Sequence, residues 1–216
     1  MPREKSTMAA TDSVQPAAAS VSAPADAVAE ETTRTALLIG AYPGTEVLMT
    51  KVWKKFLDFG TFTVVTVTTD DLVSTLSGLL RDGRLPDEFI FVPANTFPVA
   101  PMRRCELHTP LVYVGKDGRR TFAHRLPHVF NRSFLEECLA GTDLLPDEEL
   151  CRRQVESSGF RPVEVGFTFG NYVCPVNRGN PCEHIVLEAF LRKKFVSASR
   201  EGFAAIEELV RKLADS

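Results

Sequence analysis

Phe167-Thr168-Phe169-Gly170-Asn171-Tyr172-Val173-Cys174-Pro175 carries the most distinctive chemical signal in the chain. An alternating, strand-like run ends in glycine, and a thiol follows four residues later. Proline after Cys174 suits the first position of a helix. A thiol at a helix start has a lowered pKa and acts as a nucleophile near neutral pH. A nucleophilic cysteine needs a histidine base, and four histidines are present: His108, His124, His128 and His184. His184 lies ten residues after Cys174, in Pro181-Cys182-Glu183-His184-Ile185. Cysteine is also a common core residue, and a lone histidine is more often structural than catalytic, so each assignment has a plain alternative.

Two further segments have the composition of ligand-facing loops. Gly40-Ala41-Tyr42-Pro43-Gly44-Thr45 leaves an apolar run and enters a helical pattern. Backbone N–H groups there could meet an anion or a carbonyl. It is neither a P-loop nor a dinucleotide fingerprint, because no Gly-Lys-Ser/Thr and no G-x-G-x-x-G is present. A tight strand-to-helix turn is the plainer reading of the same residues. Pro93-Ala94-Asn95-Thr96-Phe97-Pro98, followed by Met102 to His108, is a long polar loop after a buried strand, where substrate contacts usually sit. Cys105-x-x-His108 with Cys174, Cys182 and His184 offers soft ligands, but no Cys-x-x-Cys is present and the spacing is unlike a zinc site. No metal and no cofactor are expected.

The elements that must carry these residues follow from periodicity. The chain has 216 residues, 44% hydrophobic and 25% charged, with a formal net charge of −3. That suffices for one core, lacks the basic footprint of a nucleic-acid binder, and contains no apolar run of membrane-helix length. Five cysteines, an odd number, read as reduced thiols in the cytoplasm. Residues 1–34 contain no leucine, isoleucine, glycine or aromatic residue and are expected to form a disordered tail.

From residue 35 the pattern is β-α-β-α-β. Strands are predicted at Ala36 to Ile39, Phe62 to Val67 and Phe89 to Val92. The first helix presents Leu48, Val52, Trp53, Phe56 and Leu57. The second presents Leu72, Val73, Leu76, Leu79 and Leu80, is capped by Thr69 or Asp70, and is stopped by Gly83. Leu111 to Val114 and Arg119 to His124 flank a turn and read as a β-hairpin. Ser133 has capping-box spacing to Glu136, Pro146 opens another helix, and Val163 to Phe169 alternates as a strand. A last helix bears Phe203, Ile206, Leu209, Val210 and Leu213. The result is one α/β domain over 35–216.

Here the residues resemble a known family. Gly170, Tyr172, Val173 and Cys174 match in register the nucleophile segment of type I pyroglutamyl peptidases, Ser-x-x-Ala-Gly-x-Tyr-Leu/Val-Cys. The helix from Glu149 to Gly159 and the Pro86-Asp87 step into a strand are similar to that family too. The resemblance implies a single three-layer, phosphorylase/hydrolase-like α/β domain with a mostly parallel sheet, plus the β-hairpin. It also implies a cysteine-type hydrolase that removes an N-terminal pyroglutamate through an acyl-enzyme. Cys174 would be the nucleophile, His184 the base and Glu106 the third member. Gly40, Tyr42, Pro43, Asn95 and Phe97 would contact the substrate. The chain departs from the family in keeping only Gly40 and Pro43 of the opening loop and in lacking a His-Val-Pro strand after the cysteine. These departures motivate a second expectation, a catalytically inactive relative that binds a peptide or a protein partner.

Overall fold

The computed structural model describes residues 35–58, 60–108, 111–115, 117–141, 145–158, 162–166, 174–175 and 195–197, with 208, 211, 212, 214 and 215 near the C terminus. The predicted tail, His184 and most of the last helix lie outside these residues. The described residues form a mixed α/β structure with a mostly parallel open sheet. Strand β1 (Ala36–Ala41) is its centre. It is parallel to β2 (Thr63–Thr66), pairing Ile39 with Val64, and to β3 (Glu88–Val92), pairing Leu38 with Phe91. A fourth strand, β7 (His128–Asn131), runs antiparallel to β3 and pairs Phe91 with His128. The order is therefore β2-β1-β3-β7. Leu37, Leu38, Ile39, Phe89, Ile90 and Phe91 are all buried, as expected of strands covered on both faces.

Between β1 and β2 runs α1 (Glu46–Phe56), which buries Met49, Val52, Trp53 and Phe56 and leaves Leu48 only partly covered. It packs against β1, β2 and β4 (Thr96–Pro98). Near its solvent side Lys51 pairs with Asp215 at 3.8 Å, and Ala214 packs on the core, so the described end of the last helix docks there. Between β2 and β3 runs α2 (Leu72–Arg81), burying Leu72, Val73, Thr75, Leu76 and Leu79. It ends at Asp82, and Gly83 follows at φ 65°, the left-handed stop that the sequence predicts.

The N-terminus of α2 is capped one residue later than expected, and from two directions. Ser74 N–H donates to Asp71 Oδ1 at 2.6 Å, while Leu72 and Val73 N–H groups donate to the two carboxylate oxygens of Asp147, each at 2.9 Å. Asp147 is the first residue of α5 (Asp147–Ser158), so one carboxylate sits at the positive ends of two helices. Asp147→Ala removes both acceptors at once and is expected to destabilise the domain by about 2 kcal/mol, with Asp147→Asn losing less. Urea unfolding midpoints of the two variants check this.

A second group of strands has the order β6-β5-β8-β9. The predicted hairpin is present: β5 (Leu111–Val114) pairs antiparallel with β6 (Arg120–Phe122), with Gly118 at φ 78° in the turn. β8 (Val163–Gly166) lies parallel to β5, and β9 (Cys174–Pro175) returns antiparallel to β8. β10 (Phe195–Ser197) pairs with β4. The short helix α3 (Cys105–His108) precedes β5, and α4 (Arg132–Leu139) follows β7 directly. The cap of α4 is Asn131, not Ser133: Asn131 Oδ1 accepts from Ser133 N–H at 3.0 Å and Phe134 N–H at 3.4 Å. The asparagine wins because β7 ends there with extended backbone, which is the conformation a cap requires. Helix α2 packs against both α4 and α5, and β7 lies under α3, α4 and α5.

Candidate functional site

In sheets of this kind ligands sit outside the carboxyl ends of the strands, where the strand order reverses. Here the reversal falls between β1 and β3, so the turns after Ala41 and Val92 define the place. They are in close contact. A Cβ on Gly40 would lie 2.8 Å from Ala94 N and 3.2 Å from Val92 O. Tyr42 turns inward, is 6% exposed, and its hydroxyl bonds the Asp70 carboxylate at the start of the α2 region. Thr45 N–H closes the turn onto Tyr42 O at 2.9 Å.

The first turn of α1 carries an anion from the chain itself, Glu46. Thr45, the cap residue, makes no side-chain cap bond. The Glu46 carboxylate accepts the Thr66 hydroxyl at 3.0 Å, and its own backbone N–H, the Thr66 hydroxyl and the Gly44 N–H hold the carboxyl below the usual range.

Beside this turn is a narrow cleft of mixed lining whose walls include Val67, Asp70, Phe91, Asn95, His124 and Arg125. Its interior is about 10 Å³, room for one water-sized group. Thr96, fully buried, ties it shut by donating from Oγ1 to Arg125 O at 2.7 Å. Behind it His128 is 1% exposed, and its Nε2–H donates to Ala123 O at 2.9 Å. Burial dominates its titration and lowers its pKa to about 4, with a smaller contribution from His124, so the ring is neutral at pH 7. Nδ1 then carries the lone pair. Asp70, His124, Arg125 and His128 were not singled out as a cluster from sequence. Their signal was the polar Ala123 to Leu126 turn between hairpin and strand, but nothing in the spacing ties it to β3.

The predicted site residues are distributed as follows. Cys174 is in β9 opposite Gly166, the last residue of β8. The helix start predicted for it is thus corrected to a strand, because backbone pairing with β8 holds Cys174 and Pro175 extended. The helix-dipole reason for a low thiol pKa goes with it. Glu106 lies in α3. His184 lies outside the described residues. Pro43 is exposed, Asn95 is 4% exposed and lines the cleft, and Phe97 is fully buried in β4. Cys151 is buried and Cys138 half-buried, and burial pushes both thiols up. Among the described residues no group of three or more histidine, cysteine or carboxylate side chains is arranged to hold a metal ion. None of their helices is long and apolar enough to cross a membrane.

Comparison of the chain with protein-family models, with curated proteins and with solved structures gives no match in any of the three.

Proposed function

We propose that this chain is a pyroglutamyl-peptidase-like α/β domain that binds a peptide without hydrolysing it. The observation that carries this reading is the Glu46 carboxylate in the first turn of α1, held by the Thr66 hydroxyl at 3.0 Å at the end of the helix where an acyl-transfer site would need room for an oxyanion. The cleft beside it has room for one water only, which is too little for an acyl group. The reading includes a three-layer arrangement: α1 meets β1 and β2, while α2 associates with α4 and α5, as right-handed crossovers on opposite faces require. The free thiols Cys138 and Cys151 fit a cytoplasmic location.

The alternative is an active cysteine hydrolase using Cys174, His184 and Glu106. It is favoured by the position of Cys174 beside the carboxyl end of β8, where catalytic residues of parallel strands are found. One pair of measurements separates the two. A fluorogenic pyroglutamyl amide tests turnover, and fluorescence anisotropy of a labelled peptide with N-terminal pyroglutamate tests binding. The expected result is saturable binding with no turnover above background. Turnover that disappears in Cys174→Ala overturns the binding reading in favour of the hydrolase. Absence of both overturns pyroglutamate as the recognised group.

A further inference from the structure

The cleft beside the Tyr42 turn is walled by core on all sides but one. Val67, Leu72, Thr75, Phe91 and Ala94 line it, are all buried, and lie on α2 or at the carboxyl ends of β2 and β3. The remaining wall is the turn between β6 and β7, through His124 and Arg125. In that turn Ala123, His124 and Leu126 are only half-buried and Arg125 is exposed. A segment with so little buried surface opens at much lower cost than walls made of core.

Hydrogen bonds give the turn a firm neck and a lightly held tip. At the neck Ala123 O accepts the Leu126 N–H at 3.0 Å and the His128 Nε2–H at 2.9 Å, so the turn keeps its shape and its root in β7. At the tip Arg125 O accepts the Thr96 hydroxyl at 2.7 Å. Among the described residues this is the one hydrogen bond that ties residues 124–126 to a part of the fold outside the turn and its adjoining strands. Closed, the cleft has about 10 Å³ inside, so a ligand larger than water enters only if a wall moves.

We propose that the 123–126 turn is a strap over the candidate site, hinged at the Ala123–His128 neck and latched by the Thr96 hydroxyl, and that its opening admits the pyroglutamyl ring of a peptide. What enters rests on the peptide-binding reading above, whereas the strap itself is tested without a ligand. Helix α1 is not part of the strap, so opening leaves Glu46 at its helix end and the site stays non-hydrolysing.

Thr75→Cys places a reporter thiol in the wall of the cleft, and N-ethylmaleimide labelling of the full chain, read by peptide mass, measures how often that wall is uncovered. The native Cys151, buried in α5, reports unfolding of the whole domain in the same digest. Labelling at position 75 is expected to be much faster than at Cys151 and nearly independent of urea below the unfolding midpoint, because opening the strap exposes little surface. Adding Thr96→Val removes the latch and is expected to speed labelling at position 75 about fivefold, the weight of one neutral hydrogen bond. Thr96→Ser keeps a hydroxyl and should keep the slow rate. On the chain with its natural Thr75, Thr96→Val should bind the labelled pyroglutamyl peptide about threefold to fivefold more tightly, because more of the protein is open. Equal labelling with and without Thr96→Val, or the same urea dependence at position 75 and at Cys151, overturns the strap. Thr96→Ser labelling as fast as Thr96→Val overturns the hydroxyl as its latch. Faster labelling with unchanged peptide affinity overturns its role as a gate. Absence of peptide binding in both proteins overturns the pyroglutamate reading alone, since the labelling decides the strap without a ligand.

Discussion

Gly40→Val should destabilise the domain by about 3 kcal/mol, and Gly40→Ala by roughly 2 kcal/mol, although glycine to alanine in a strand normally helps. Gly40 is the next residue after Ile39, which pairs with Val92, so a side chain here would enter the turn that leaves β3. The first atom added would meet Ala94 N at 2.8 Å and Ala94 Cα at 3.2 Å. Both are backbone atoms, which cannot swing away as a side-chain end can. The turn that holds them is itself tied down, by Thr96 N–H to Pro93 O at 2.9 Å and by the buried Thr96 hydroxyl. Relief therefore means separating β1 from β3 at the carboxyl edge or breaking the Thr96 bonds. The control is Gly60→Ala: nothing lies within 4 Å of a Cβ there and its φ is not left-handed, so a neutral or slightly stabilising effect is expected. Chemical denaturation of the three variants reads the result. A Gly40→Ala midpoint equal to that of Gly60→Ala would show that the two turns have room to part.

The same contact illustrates what was legible in the sequence. Leu37 to Ile39 and Phe89 to Val92 declare themselves as buried strands because both faces are apolar, Phe62 to Val67 as a strand through its β-branched residues, and the helical stripes between them fix the crossovers. Gly40 reads as a turn glycine, and its location beside a glycine-rich stop supports that reading. Its true constraint comes from Ala94, 54 positions away, and no local pattern encodes a partner at that distance. Asp147 is similar. As the first acid after Pro146 it reads as a favourable charge at the head of its own helix, which is correct. Its bonds to Leu72 and Val73 depend on how α2 and α5 meet. β7 was missed because His128-Val129-Phe130-Asn131 is short and follows Pro127, and its burial comes from pairing with β3. For Cys174, proline at the next position is compatible with a helix start and with an edge strand alike, and backbone pairing to β8 decides between them. The Thr66–Glu46 bond was also invisible locally: Glu46 looks like an ordinary first-turn acid until the Thr66 hydroxyl is placed beside it.

Acidification from about pH 6.5 to pH 4 should remove up to about 3 kcal/mol of stability through His128 alone. The ring is fully enclosed between Phe91, its partner across the strands, and Phe130, whose ring centre is 6.1 Å away. No carboxylate is among the groups that shift its titration, and the neighbouring His124 adds only repulsion. The folded protein therefore resists protonating His128 until about pH 4, whereas the unfolded chain takes up the proton near pH 6.5. Between those values the unfolded state binds more protons, so stability rises with pH and falls on acidification. Above about pH 7 the ring is neutral in both states and contributes no slope. His128→Gln retains a donor for Ala123 O and cannot titrate. Urea midpoints of the wild type and His128→Gln, compared from about pH 7 to about pH 4.5, should converge as the pH falls, the wild type losing the larger part of its stability. The carboxylates common to both proteins cancel in that difference. Parallel pH profiles would mean that His128 is protonated as readily in the fold as outside it, and the buried, neutral ring behind the cleft would have to be abandoned.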